Sequence, residues 1–128
     1  MRYHLDTSFL IDWQRVHPSV DRLREEILTG VHQVSVDAIV QTEFFAVQRV
    51  DRAARSVFET VLDLAEWISI TPAVSRLAAQ WLGPMDAAQR LAHFADALIA
   101  AVATVERAIL VTGDKRIARV FPVAVLEY

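Results

Sequence analysis

Apolar positions along the chain switch repeatedly between helical and extended periods. From Ala97 to Ala103 nearly every residue is apolar, and Phe94, Ala97, Leu98, Ala101 and Val105 recur as one helical stripe. A helix here, ending near Glu106-Arg107, is expected to be buried on most sides. Ala108 to Val111 then reads as a short buried strand, closed by Thr112-Gly113-Asp114. Upstream, Arg2 to Leu5 reads as the first strand. A helix from Phe9 to about Val16 follows, capped by Thr7 or Ser8 and ended by His17-Pro18. Pro18 suits the start of another helix, ending near Gly30.

The same alternation continues. His32 to Val36 is a second strand, and Asp37 caps a helix from Ala38 to about Val50 with Ile39, Val40, Phe44 and Val47 as its stripe. Asp51 starts a helix to Ala65. Trp67 to Ile70 is a third strand, and Pro72 opens a helix to Leu82 that Gly83-Pro84-Met85 breaks. After the fourth strand come a short helix, Lys115 to Val120, and a last strand, Val123 to Leu126. Short buried strands joined by helices imply right-handed crossovers and a parallel sheet covered on both faces. The expected fold class is α/β: a three-layer α/β/α domain, residues 1–128, around a central, mainly parallel sheet of about five strands.

Composition narrows the function classes. The 128 residues suit one core, and 54 % hydrophobic content excludes a disordered chain. No apolar run reaches the length of a membrane span, MRYHLDTS has no apolar signal region, and cysteine is absent. A cytoplasmic protein is the expectation. The net charge of −3 argues against gripping nucleic acid by bulk positive charge, but not against binding it through metal ions and local arginines.

Candidate chemistry lies in four acids. Asp96 sits in the apolar helix, in its first turns, with no basic residue one turn later, and a carboxylate there is costly unless something compensates it. Asp114 follows the fourth strand, Asp6 the first, and Glu43 lies in the helix after the second. Taken singly, Asp6 reads as a helix cap, Asp114 as a turn residue and Glu43 as a half-exposed helix position. If the first and fourth strands are neighbours, Asp6 and Asp114 meet at one sheet edge, and helix starts would bring Glu43 and Asp96 to it. Such a cluster repels itself unless a cation sits inside it. An all-oxygen set suits Mg²⁺ or Mn²⁺ rather than zinc, and such ions serve phosphodiester hydrolysis.

At these residues the chain resembles PIN-domain ribonucleases, specifically the VapC-type toxin of a toxin–antitoxin pair. Leu5 to Asp12 resembles the family's opening block and Ser35 to Phe44 its second; Asp96-Ala97-Leu98-Ile99-Ala100-Ala101 resembles its third and Thr112-Gly113-Asp114 its fourth. The resemblance implies catalytic and metal-binding roles for Asp6, Glu43, Asp96 and Asp114, with Glu43 holding a second ion or orienting water. It implies supporting hydroxyls at Thr7 or Ser8 and at Thr112. It also implies structured cellular RNA (tRNA or rRNA) as substrate, a homodimer, and a small antitoxin whose C-terminal segment covers the acidic groove. Ile117 departs from the pattern, since an aromatic commonly stands there.

Several residues keep two readings. Lys115, Arg116 and Arg119 either meet RNA phosphates or are surface charge on the last helix. His93 either touches substrate or serves the helix start, and Asp12 is a capping or solvated residue unless it lies near the site. Trp13, Trp67 and Trp81 read as core or interface anchors. Two other functions compete: a PIN-like module that binds RNA or protein without cutting, and a receiver-like signalling domain. The second would need an acceptor Asp after a middle strand, where Thr71-Pro72 stands instead.

Overall fold

The computed structural model describes residues 1–48 and 51–128. One sheet carries five strands, all parallel, in the order β3-β2-β1-β4-β5. The strands are β1 (Arg2–Leu5), β2 (Gln33–Asp37), β3 (Ala65–Ile68), β4 (Ile109–Val111) and β5 (Val125–Leu126). The described helices are α1 (Thr7–Gln14), α2 (Asp21–Leu28), α3 (Ala38–Gln48), α4 (Arg52–Leu64), α5 (Pro72–Leu82), α6 (Ala87–Val105) and α7 (Ile117–Val120). The chain steps from β1 outward through β2 to β3, then returns past β1 to β4 and β5. With right-handed crossovers, those two directions place their helices on opposite faces. The packing agrees: α1 lies against α3 and α4, while α5 pairs with α6. The core between the layers includes Leu5, Phe9, Phe44, Phe58, Ile99, Leu110 and Phe121, all buried.

Strands β1 and β4 are neighbours, with His4 opposite Leu110 and Leu5 opposite Val111. Their connections leave in opposite directions, so their carboxyl ends flank a switch point, where open α/β sheets form crevices. Among the described residues no helix is long and apolar enough to cross a membrane.

Several boundaries differ from the sequence pattern, each for a local reason. Strand β3 begins at Ala65 and ends at Ile68, not at Ile70. It pairs with β2 from Val34↔Ala65 to Asp37↔Ile68, and β2 ends there because Asp37 turns to cap α3. Strand β5 is shortened to Val125–Leu126 because three-residue β4 offers it only Leu110 and Val111. Helix α6 starts six residues before His93, at Ala87. Asp86 and Gln89 form a capping box there, a signal already present in the sequence. Asp96 therefore lies in the middle of α6, not in its first turns. Pro18 opens a 3-10 turn (Pro18–Val20) before α2 rather than one continuous helix.

Burial also corrects parts of the stripes. On α6, Ala97 and Ile99 to Ala103 are buried, whereas Phe94 and Val105 are exposed. On α3, Val40 and Phe44 are buried but Val47 is exposed, and Val50 lies outside the described residues. Trp13 is a core residue, Trp81 packs on Phe121 with ring centroids 5.5 Å apart, and Trp67 is exposed. Trp67 alternates outward because its neighbour Ile68 takes the inward side of β3.

A buried polar strut ties β1, β2 and α3 together. His4 Nδ1 lies 2.8 Å from Ser35 Oγ and Nε2 lies 2.7 Å from Asp37 Oδ2. The other Asp37 oxygen accepts the Val40 N–H at 2.9 Å. Ser, His and Asp in a row suggest a nucleophilic triad. Here they are 1 %, 0 % and 0 % exposed, so no substrate reaches them and the arrangement is structural. Removing one member strands a buried polar or charged partner. His4→Ala should cost about 3–5 kcal/mol in denaturant melts; a loss below about 1 kcal/mol would contradict this role.

Candidate active site

The site is assembled at the carboxyl ends of β1 and β4, beside the middle of α6. Asp6 is the first residue after β1 and caps α1, accepting the Thr7 N–H at 2.8 Å. Neither Thr7 nor Ser8 is the cap, contrary to the sequence expectation. An Asp in extended conformation at the strand end already fills that position and frees both hydroxyls for other bonds. Thr7 Oγ1 donates to Glu43 Oε1 at 2.8 Å. Ser8 Oγ donates to Asp6 Oδ2 at 3.0 Å, and Thr112 Oγ1 donates to the same oxygen at 2.7 Å. Asp6 is thus 4 % exposed, fully bonded and fixed in position. Burial pushes its carboxyl above the usual range despite these bonds from Thr112, Ser8 and Thr7.

Glu43 projects from α3 and is half-buried, and burial raises its pKa as well, opposed by the Thr7 bond. Asp37 and Asp6 add to that rise through their charges. Asp96 differs from both. Among the described residues it has no hydrogen-bond or ion-pair partner, and its pKa is pushed up to about 6. The first cause is burial; the charges of Asp6, Glu43 and Asp114 follow. Those four acids, drawn from β1, α3, α6 and the β4 turn, therefore lie within electrostatic reach of one another.

Asp114 is the exception in sign. Arg116 donates from Nε to Oδ1 at 3.1 Å and from Nη2 to Oδ2 at 3.0 Å, and its backbone N–H also reaches Oδ1 at 2.9 Å. This arginine holds the Asp114 carboxyl below its ordinary range. The turn is anchored in two more places: the Asp114 N–H donates to Thr112 Oγ1 and the Gly113 N–H to Ser8 Oγ, both at 2.9 Å. His93, Asp96 and Arg116 line a small notch of about 70 Å³ between α6 and α7. Lys115 and Arg119 are exposed and bond to none of the four acids.

The sequence did not reveal the back wall. Tyr128 donates its hydroxyl to Asp12 Oδ2 at 2.6 Å and packs edge-on against Phe9, ring centroids 5.2 Å apart. Burial, then the bond to Asp12, raises the pKa of Tyr128. A Cβ on Gly113 would stand 2.8 Å from the Tyr128 hydroxyl, so a side chain there would push that hydroxyl aside. Asp12 is therefore part of the wall behind the Thr112–Asp114 turn rather than a solvated residue. The contact joins residues 116 positions apart, so no local pattern could have announced it.

Hard carboxylate oxygens, one of them unpartnered, suit a divalent cation of the Mg²⁺ or Mn²⁺ type. Among the described residues, however, no group of three or more acids and histidines is already arranged to hold a metal ion. Binding would require side-chain adjustment, and Asp114 is the acid already engaged by a cation of the chain's own.

Comparisons with known proteins agree with the fold. The family model described as PIN domain matches residues 3–121. The fold is similar to a crystal structure of VapBC2 from Rickettsia felis bound to a DNA fragment from their promoter, at TM-score 0.74 and 20 % identity over 100 % of this chain and 99 % of that one. It is similar to VapBC-1 from nontypeable Haemophilus influenzae at TM-score 0.71 and 18 % identity, covering 99 % and 98 %. FitAcB from Neisseria gonorrhoeae aligns at TM-score 0.66 and 22 % identity, covering 98 % and 96 %. No curated protein matches the sequence.

The electrostatics predict a pH signature in metal-free protein. Folded Asp96 binds its proton with a pKa of about 6, against 3.8 for an ordinary Asp. Between those values the folded state holds more protons than the unfolded, so this stability is present in acid and is lost as pH rises through about 6. Asp96→Asn in EDTA should then be as stable as the parent or more so at pH 8, by about 0.5–2 kcal/mol after discounting for partial solvent exposure. It should also lose that slope. Thermal melts from pH 4 to 8 check this. A loss of several kcal/mol at pH 8 would instead mark Asp96 as half of a buried ion pair.

Proposed function

The chain belongs to the PIN-domain family, and from that premise we propose that it is a divalent-metal-dependent endoribonuclease, the toxin of a toxin–antitoxin pair. The observation that carries the reading is Asp96: a half-buried carboxyl with no partner, facing the charges of Asp6, Glu43 and Asp114 at a sheet-edge switch point. His93 and Arg116 act on it through their charges, but neither bonds to it and the three acids outweigh them. A metal ligand without its ion has this environment.

Asp6, Asp96 and Asp114 would hold Mg²⁺ or Mn²⁺, and Glu43 would hold a second ion or orient water. The bound ion supplies polarisation of the scissile phosphate and a water of lowered pKa. The chain's own residues supply position. Thr112 and Ser8 fix Asp6, Thr7 fixes the Glu43 carboxyl, and Thr112 also anchors the Asp114 turn. Glu43, its pKa raised by burial, would exchange a proton with the attacking water. Lys115, Arg116 and Arg119 would meet RNA phosphates.

The substrate would be structured cellular RNA, tRNA or rRNA, cut in the cytoplasm. The partner would be a small antitoxin whose C-terminal segment covers the acidic groove, with the toxin itself a homodimer. The likeness to VapBC complexes supports an antitoxin partner. A PIN domain that binds RNA or protein without cutting is the second reading, favoured by the lack of a pre-arranged ligand group among the described residues. The presence of all four acids weighs against it.

Purified protein should cleave tRNA or rRNA with Mg²⁺ or Mn²⁺ and lose this in EDTA, and Asp96→Asn should lose at least about 100-fold in rate. Growth should slow when the chain is expressed alone and recover on coexpression of the adjacent small gene. Cleavage undiminished in excess EDTA would remove the metal mechanism; folded, Mn²⁺-loaded protein that cuts no RNA would favour the binding module.

A further inference from the structure

The ion pair of Arg116 with Asp114 is unusual in what it occupies. Three N–H groups of one residue engage both oxygens of a proposed metal ligand. The pair contributes little to stability, since the Arg116 side chain is 78 % exposed and water screens it. Its geometry is nonetheless the two-pronged fork that arginine uses for planar anions, carboxylate and phosphate alike. Arg116 also lines the notch with His93 and Asp96, and its charge reaches Asp96. The same guanidinium thus engages a proposed metal ligand and lines the notch beside Asp96.

We infer that Arg116 alternates between two anions: it holds Asp114 while metal is absent, and it turns to a phosphate of the RNA when a divalent cation takes Asp114. This rests on the nuclease reading above and adds a coupling to it. Backbone and side-chain N–H groups of Arg116 take three of the roughly four lone-pair sites of the Asp114 carboxylate, two on Oδ1 and one on Oδ2, and a cation beside the guanidinium would meet like charge, so cation and arginine compete. The exposed side chain can swing away without disturbing the core. Once freed, it is a positive fork beside the acidic cleft, free to take a phosphodiester oxygen. Metal loading therefore prepares the RNA contact, and the metal-free protein keeps its arginine occupied. Arg116 is in this account a positioning residue.

The test uses the full chain with Arg116→Gln and Arg116→Lys, each shown to be folded by its thermal melt. Mn²⁺ affinity is read by isothermal titration calorimetry without RNA. The KM and kcat for RNA are read separately at saturating Mn²⁺. Arg116→Gln should bind Mn²⁺ about five-fold tighter or more while its KM for RNA rises, two effects of opposite sign. Arg116→Lys, which keeps charge but lacks the fork, should fall between parent and Arg116→Gln in Mn²⁺ affinity. Unchanged or weaker Mn²⁺ binding by Arg116→Gln, with the parent binding normally, overturns the inference and leaves the nuclease reading standing. A parent that takes up no Mn²⁺ at all overturns both.

Discussion

The constraint on which this structure turns is the repulsion among four carboxylates gathered at one sheet edge. Asp6, Glu43, Asp96 and Asp114 come from four different elements, and burial and mutual charge raise the pKa of three of them. Folding brings them together although it gains nothing from doing so electrostatically. The parallel sheet brings two of them to one edge: β1 is central, β4 is its neighbour, Asp6 is the first residue after β1 and Asp114 lies in the turn that follows β4. Packing of α3 and α6 adds Glu43 and Asp96. The core beneath, with Leu5, Phe9, Leu110 and Ile99 fully buried, provides the hydrophobic stabilisation that holds the edge in place.

The chain manages this repulsion in three different ways. Asp6 is held in place by hydrogen bonds, two from hydroxyls and one from a helix N-terminus, which offset part of the burial penalty. Asp114 is paired with an exposed arginine that can leave. Asp96 is left with neither. On the proposed nuclease reading, the fixed acid would set the reference position, the paired acid would be exchanged, and the unpartnered acid would hold the electrostatic demand that a cation meets. The His4–Asp37 strut lies just below this edge and keeps β1, β2 and α3 in register, so that Glu43 stays within reach of Thr7.

Much of this was legible in the sequence, because it depended on local periodicity and on residue types at strand ends. The parallel α/β architecture followed from short apolar runs alternating with helical stripes, and Asp96 stood out as a charge without a neighbour one turn away. What stayed hidden depended on tertiary contacts. Tyr128 and Asp12 meet across 116 positions, and His4 finds Asp37 only when β1 pairs with β2. The register that ends β3 at Ile68 belongs to the partner strand, so Trp67-Ile68-Ser69-Ile70 alone could not show it. The start of α6 was a different case: Asp86 and Gln89 spelled the cap, and the apolar run at Ala97 to Ala103 drew attention away from it.

The central claim is that these acids form one cation site. Anomalous diffraction from crystals of the chain soaked in Mn²⁺ tests it most directly, because it locates the ion without reference to activity. The account predicts a manganese peak within bonding distance of the Asp96 and Asp6 carboxylates, with Asp114 turned towards it and parted from Arg116. A soaked crystal with no peak in this cleft, or with manganese bound elsewhere while Asp114 stays on Arg116, would contradict it.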